Sequence, residues 1–283
     1  MENYSYIGEV HQAKESEYFK YNLTYPVLIL YLKCIYHSKF KQDIIDEINY
    51  EIYKDVIGFK NDIKKQAIEY KKLYENELSK QYDKPLKYQY QAYVTYEVHY
   101  DKNNIISIIL TKYQFTGGAH GMTFLDAYHY NLLTGEKLKL EDMFKPGINY
   151  KKIVNDFIYS EIKKEPDIYF KGEDGFKGIS DNQQFYIDEE GIVIYFGLYE
   201  IAPYSIGIPK FRLKSDEFKD SLKFWYIYNI EWKWYNRYNK STLFMYLEEL
   251  LWKNMLWRAL EDILDIFIGM ARAISLRNIK IMV

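Results

Sequence analysis

The chain has 283 residues but only one cysteine, Cys34, which excludes a disulfide framework and a cysteine-ligated zinc cluster. An excess of positive charge is also missing. Lys and Arg number 38 against 40 Asp and Glu, a net charge of -2, so the basic stripe of a dedicated nucleic-acid binder is not expected. Long hydrophobic runs are scarce as well. The most apolar early stretch, residues 21–32, contains Pro26 and is followed by Lys33, short of the roughly 20 residues a helical span needs. The start, Met1-Glu2-Asn3-Tyr4-Ser5-Tyr6, lacks the basic start and apolar core of a secretory signal. No membrane span is therefore expected, and the localisation stays open.

What is abundant is aromatic: 32 Tyr and 16 Phe, in a chain that is 48% hydrophobic and 28% charged. That balance suits a soluble globular protein with one substantial core or two smaller ones. Tyrosine has an apolar body and a polar tip, so strands rich in it are either half-buried or form binding surfaces.

Periodicity divides the chain. Residues 18–36 read as one or two strands, with Pro26 at a break or edge because proline cannot donate to a ladder. Phe40, Ile44, Ile48, Ile52, Val56, Phe59, Ile63, Ala67, Tyr70 and Tyr74 recur at helical steps, which predicts a long amphipathic helix broken near Gly58. From Tyr88 to Tyr100 the period becomes two, with Tyr93 the one apolar residue on the polar face. Asp101-Lys102-Asn103-Asn104 is turn chemistry, and residues 105–115 return as the second strand of an antiparallel hairpin. A strand over 124–133, a shorter helix over 150–162, a second hairpin over 185–196 and a last strand over 208–213 follow. The fold class is α+β: antiparallel sheets with a long and a shorter helix, in subdomains 10–85 and 86–222. Beyond residue 222 the composition changes, since all five tryptophans lie there. This tail, 223–283, is expected to be helical from about 241. It can cap the domain, lie on a membrane surface, mediate self-association, or be the product of a shifted reading frame.

The densest glycine cluster is Thr116-Gly117-Gly118-Ala119-His120-Gly121. It leads from strand to strand, without GxxxxGK[ST] or GxGxxG spacing, so it is not expected to cradle a nucleotide. Gly117, Gly118 and Gly121 read as a structural turn, with His120 bonded to backbone or facing a ligand. His99, His120 and His129 can approach one another across neighbouring strands, but no HxH, HExxH or carboxylate pattern supports a metal. Neither metal nor cofactor is expected. No catalytic residue is assigned: Glu200 has no identifiable acid–base partner, Ser205 lacks a nucleophile elbow, and Cys34 reads as an inert buried thiol. The loop Tyr199-Glu200-Ile201-Ala202-Pro203-Tyr204-Ser205-Ile206-Gly207 suits recognition better, since tyrosine and proline offer rigid contact area at small entropic cost.

Tyr113-Gln114-Phe115-Thr116-Gly117-Gly118-Ala119-His120-Gly121 and the loop 199–207 combine with Leu133-Thr134-Gly135-Glu136 and Leu140-Glu141-Asp142-Met143-Phe144. Together they resemble a bacterial family of paired domains of unknown function. Such domains occur in the extracytoplasmic part of a lysozyme-sensing anti-sigma factor and in the N-terminal portion of a peptidoglycan deacetylase. The resemblance covers about residues 10–220. It implies a non-catalytic binding or sensing module of the cell envelope, whose partner is a lysozyme-like protein or a cell-wall glycan. The alternative is an accessory unit of a cell-wall hydrolase or deacetylase, or an unrecognised enzyme of that kind. Pro203 and Tyr204 match the family's contact loop. Tyr199, Glu200, Thr116 and His120 join them as candidate binding residues, with Gly207 as a further structural turn. The deacetylase catalytic domain has no counterpart in this sequence.

Overall fold

A computed structural model describes residues 4–30, 38–82 and 86–223; Cys34 and residues 224–283, including the expected tail helix, lie outside them. Among the described residues, β1 (Tyr4–Lys14), β2 (Phe19–Leu30), β3 (Tyr90–Lys102), β4 (Ile105–Phe115) and β5 (Met122–Asn131) form one sheet in that order. A three-stranded sheet holds β6 (Phe185–Ile187), β7 (Gly191–Tyr195) and β8 (Lys210–Lys214). Helix α1 runs Ser38–Leu73 and helix α2 Tyr150–Ile162, with a four-residue α3, Ser215–Phe218, after the last strand. The class is mixed α+β. No helix among the described residues is long and apolar enough to cross a membrane.

β1 and β2 pair antiparallel, as do β3, β4 and β5, whereas β2 and β3 run parallel. A parallel pair needs a crossover, and the long α1 supplies it. The β2–β3 ladder stops at Leu23↔Val94, so the later half of β2 has β1 on one side only. Pro26 lies in that half, opposite Gly8, where its missing N–H costs no bond to β3. The freed edge is closed from the helix. Asn49 Oδ1 accepts from Leu28 N at 2.8 Å and Asn49 Nδ2 donates to Leu28 O at 2.9 Å, so one amide satisfies both backbone groups of Leu28 on the side where no strand pairs with it.

The expected break at Gly58 does not occur. Nothing lies within 4 Å of a Cβ placed there, so glycine marks an open position rather than a kink, and α1 continues to Leu73. The chain then takes one wide turn, Tyr74–Leu78, and a last short helical turn, Ser79–Gln81. The β3–β4 hairpin turns on Asn103 and Asn104 at φ 56 and 58, the paired left-handed geometry whose twist matches the flanking strands. Asn149 caps α2, its Oδ1 accepting from Lys152 N at 3.1 Å.

Ile48, Ile52 and Val56 of α1 bury against Leu23, Tyr25, Val94, Ile108 and Leu110 on one face of the large sheet. A second core joins Val154 and Ile158 of α2 to Ile187, Ile192, Ile194 and Leu213 of the small sheet. The small sheet also covers part of the large sheet's outer face, where Ile109 meets Tyr186, Val193 and Tyr195. β3, β4 and β5 thus touch both halves of the molecule, and the large sheet runs across residue 86.

Candidate functional site

The connection between β4 and β5, residues 116–121, turns sharply at Gly117 and Gly118, with φ +98 and +90. A side chain at either position is strained. Gly121 is needed for a different reason. A Cβ there would stand 2.4 Å from Gln114 O and 2.5 Å from Tyr113 Cζ, so the tyrosine ring lies directly against the glycine backbone.

The loop at 199–207 is pinned by its centre. Ile201 and Ala202 are buried, and Ile201 O accepts from Phe170 N at 2.9 Å. Its flanks face outward. Tyr199 takes φ +66, unusual for a residue with a side chain, and is 48% exposed. Such a backbone costs on the order of 1 kcal/mol and persists only where its surroundings enforce it. Here Glu200 Oε2 accepts from Gly197 N at 2.6 Å and holds the bend. Pro203 precedes the 3-10 turn Tyr204–Ile206, which Gly207 ends at φ 77 and ψ -145.

Two stretches some eighty residues apart in sequence meet here. The rings of His120 and Tyr204 stack with centroids 4.1 Å apart at 24°. Tyr204 Oη donates to Gly121 O at 3.1 Å, and Tyr199 lies 5.6 Å from Tyr204. His120 Nδ1 also lies 3.1 Å from Gly121 O, a contact that assigns the proton to Nδ1. Of the candidate residues, Tyr199, Tyr204 and His120 form one aromatic surface. Glu200 and Pro203 shape the loop beneath it. Thr116 takes no part in the described hydrogen bonds or ring contacts.

The three histidines weighed as a metal set have separate partners. His99 packs its ring on Tyr186 at 4.4 Å and meets Glu97 at 3.2 Å. His129 is buried under the small sheet, with Nε2 2.8 Å from Phe185 O and Nδ1 3.0 Å from Ser107 Oγ, which itself accepts from Ile187 N at 3.1 Å. A ring that donates from Nε2 and accepts at Nδ1 satisfies all three contacts. Burial lowers its pKa to about 4 despite the opposing carbonyl, so the ring is neutral. Among the described residues, no group of three potential ligands could hold a metal ion.

Periodicity did not reveal the polar seam between α1 and the sheet. Lys112 Nζ, with its side chain 6% exposed, lies between Asp126, at 2.5 Å, and Asp55. Asp55 also accepts from Tyr128 Oη. One turn earlier on α1, Glu51 accepts from Tyr130 Oη and Lys137 Nζ, each at 2.5 Å. Burial and the bond to its carboxylate hold each phenol well above its ordinary pKa. For Glu51, burial alone would raise the pKa, and the bonds from Lys137 and Tyr130 outweigh it to give a lowered value. The visible signal was the i,i+4 spacing of Glu51 and Asp55, but a helix alone does not show what they face.

Comparison with known proteins places these elements. Residues 12–123 match the family model "Deacetylase PdaC", and residues 141–216 match DUF3298, a protein family of unknown function. Both domain types are therefore present, consistent with paired domains that resemble the N-terminal region of a peptidoglycan deacetylase. The chain is 31% identical over 134 residues to the peptidoglycan-N-acetylmuramic acid deacetylase PdaC of Bacillus subtilis, 46% of this chain and 28% of that protein. An esterase of Mycobacterium tuberculosis is 28% identical over 110 residues, 36% of this chain and 45% of its own length. The chain thus spans less than half the length of both relatives. A crystal structure of a DUF3298 family member from Bacteroides fragilis superposes with a TM-score of 0.58 at 18% identity, covering 78% of this chain and 93% of that one. That likeness supports the fold.

Proposed function

We propose that this chain is a non-catalytic binding module of the bacterial cell envelope, and that the paired loops 116–121 and 199–207 engage peptidoglycan fragments. The observation that carries the reading is the convergence of His120, Tyr204 and Tyr199 into one aromatic surface on a strained, well-anchored loop. Aromatic faces offer sugar rings a preformed contact, and strain held by surrounding structure is a recurrent mark of binding sites. The deacetylase-type domain supports a role beside cell-wall glycan, as an accessory unit of a longer enzyme or as a separate sensor. A lysozyme-like protein is the second reading, favoured by the exposed apolar surface of Tyr199 and Ile206 beside the same loop.

Calorimetric titration with purified muropeptides and, separately, with lysozyme tests the choice. Glycan binding that Tyr204→Ala weakens about tenfold or more in a folded variant supports the first reading. Lysozyme binding with no muropeptide binding transfers the site to the second. Release of acetate or of cleaved glycan during the titration would show that the module is catalytic.

A further inference from the structure

The small sheet covers only part of the large sheet's outer face, and the uncovered part has a distinctive row. Gln12 pairs with Asn22, Asn22 with Tyr93, Tyr93 with Tyr113, and Tyr113 with Thr123, so one register line crosses all five strands. Residues directly opposite in a ladder share a face. Four inter-strand spacings make this row about 19 Å long. At its centre the Tyr93 and Tyr113 rings are nearly parallel, 6.0 Å apart at 17°, with Lys20 Nζ 5.9 Å from the Tyr93 centroid. Gln12 and Asn22 are exposed and Thr123 half-buried. No described hydrogen bond engages their side chains.

The row continues into the loop site. Tyr113 lies against Gly121, and Gly121 O accepts the Tyr204 hydroxyl. Aromatic faces therefore run from Tyr93 through Tyr113 to Tyr204 and Tyr199 with one glycine between the halves. The row itself contains no carboxylate. Flat aromatic area flanked by neutral amides and hydroxyls matches a sugar ring, with its apolar C–H faces and rim of hydroxyls. A protein partner would favour a larger apolar centre than two tyrosines.

We propose that this row is a second subsite, over which an extended glycan strand lies as it enters the paired loops. The proposal rests on the glycan reading of the loop site and adds length: the molecule would read a polymer rather than a fragment.

The test compares peptide-free peptidoglycan glycan strands with a single disaccharide, binding each to the full chain and to Tyr93→Ala, Asn22→Ala, Tyr93→Phe and Tyr204→Ala. The expected result is tighter wild-type binding of strands than of disaccharide. Tyr93→Ala should weaken strand binding about 2- to 10-fold while disaccharide binding is unchanged, and Tyr93→Phe should keep the wild-type value. Should Tyr93→Ala misfold by circular dichroism, Asn22→Ala carries the test, with an expected strand-specific loss of at least about twofold. Strand binding that is lost in Tyr204→Ala yet equal to wild type in Tyr93→Ala and Asn22→Ala would overturn the subsite and leave the loop site standing. Failure of wild type to bind either glycan would overturn both.

Discussion

The two faces of the large sheet treat polar residues in opposite ways. Toward α1, Lys112, Asp55, Asp126 and Tyr128 bond to one another, as do Glu51, Tyr130 and Lys137. On the uncovered outer face, the side chains of Gln12, Asn22 and Thr123 have no described hydrogen bond. The difference follows from solvent. A polar group removed from water must find a partner or cost about 1–3 kcal/mol, whereas one left in water needs none and stays available to a ligand. Covered polar residues hold this fold together; uncovered ones are where recognition can occur. The same outer face shows both cases, because under the small sheet Ser107 and His129 are fully engaged.

The largest expected effect that would break this comparison is at Lys112. Lys112→Met removes the cation between Asp55 and Asp126, which stand 36% and 41% exposed and so keep part of their hydration. The loss should be about 3 kcal/mol, the lower end for a broken buried pair, measured by urea unfolding. A loss under about 1 kcal/mol would show that the seam is dispensable.

Next comes pH. The folded-state pKa of His129 is about 4 against an ordinary 6.5, so below 6.5 the unfolded chain binds a proton that the folded chain refuses. Stability is therefore full above pH 6.5 and falls as pH drops from 6.5 to 4, by about 3 kcal/mol from this group. His129→Gln should flatten that limb of the stability–pH curve; an unchanged limb would exclude His129 as its source.

The smallest effect sharpens the contrast. Asn22→Ala on the uncovered face should leave unfolding free energy within about 0.5 kcal/mol of wild type. A larger loss would mean that the row is structural.

Much of the local structure was legible in the residues. Alternation from Tyr88 to Tyr100 and the Asn103-Asn104 turn marked the β3–β4 hairpin, and helical spacing marked α1 and α2. Tyr93 is the one apolar residue on that polar face, and its packing partner, Tyr113 opposite it, shows only in the fold. Periodicity does not predict strand β1, since its exposed Ile7 and Val10 give no clean one-sided pattern in an edge strand. Local chemistry puts Pro26 at a break or edge, and the edge is what forms, whereas it puts a break at Gly58 that does not form. In place, an unpaired stretch of β2 tolerates the proline and an open helix position tolerates the glycine.

Sequence by itself determined most of the elements, the class and the presence of the two loops, because backbone preference and hydrophobic period act between residues close along the chain. The tertiary structure decided that those loops share one aromatic surface, that Lys112 is neutralised from two sides, and that the outer face stays half open. Each of these is a contact between residues far apart in the chain. Such contacts are selected by which surfaces must leave water together, and local spacing does not encode that choice.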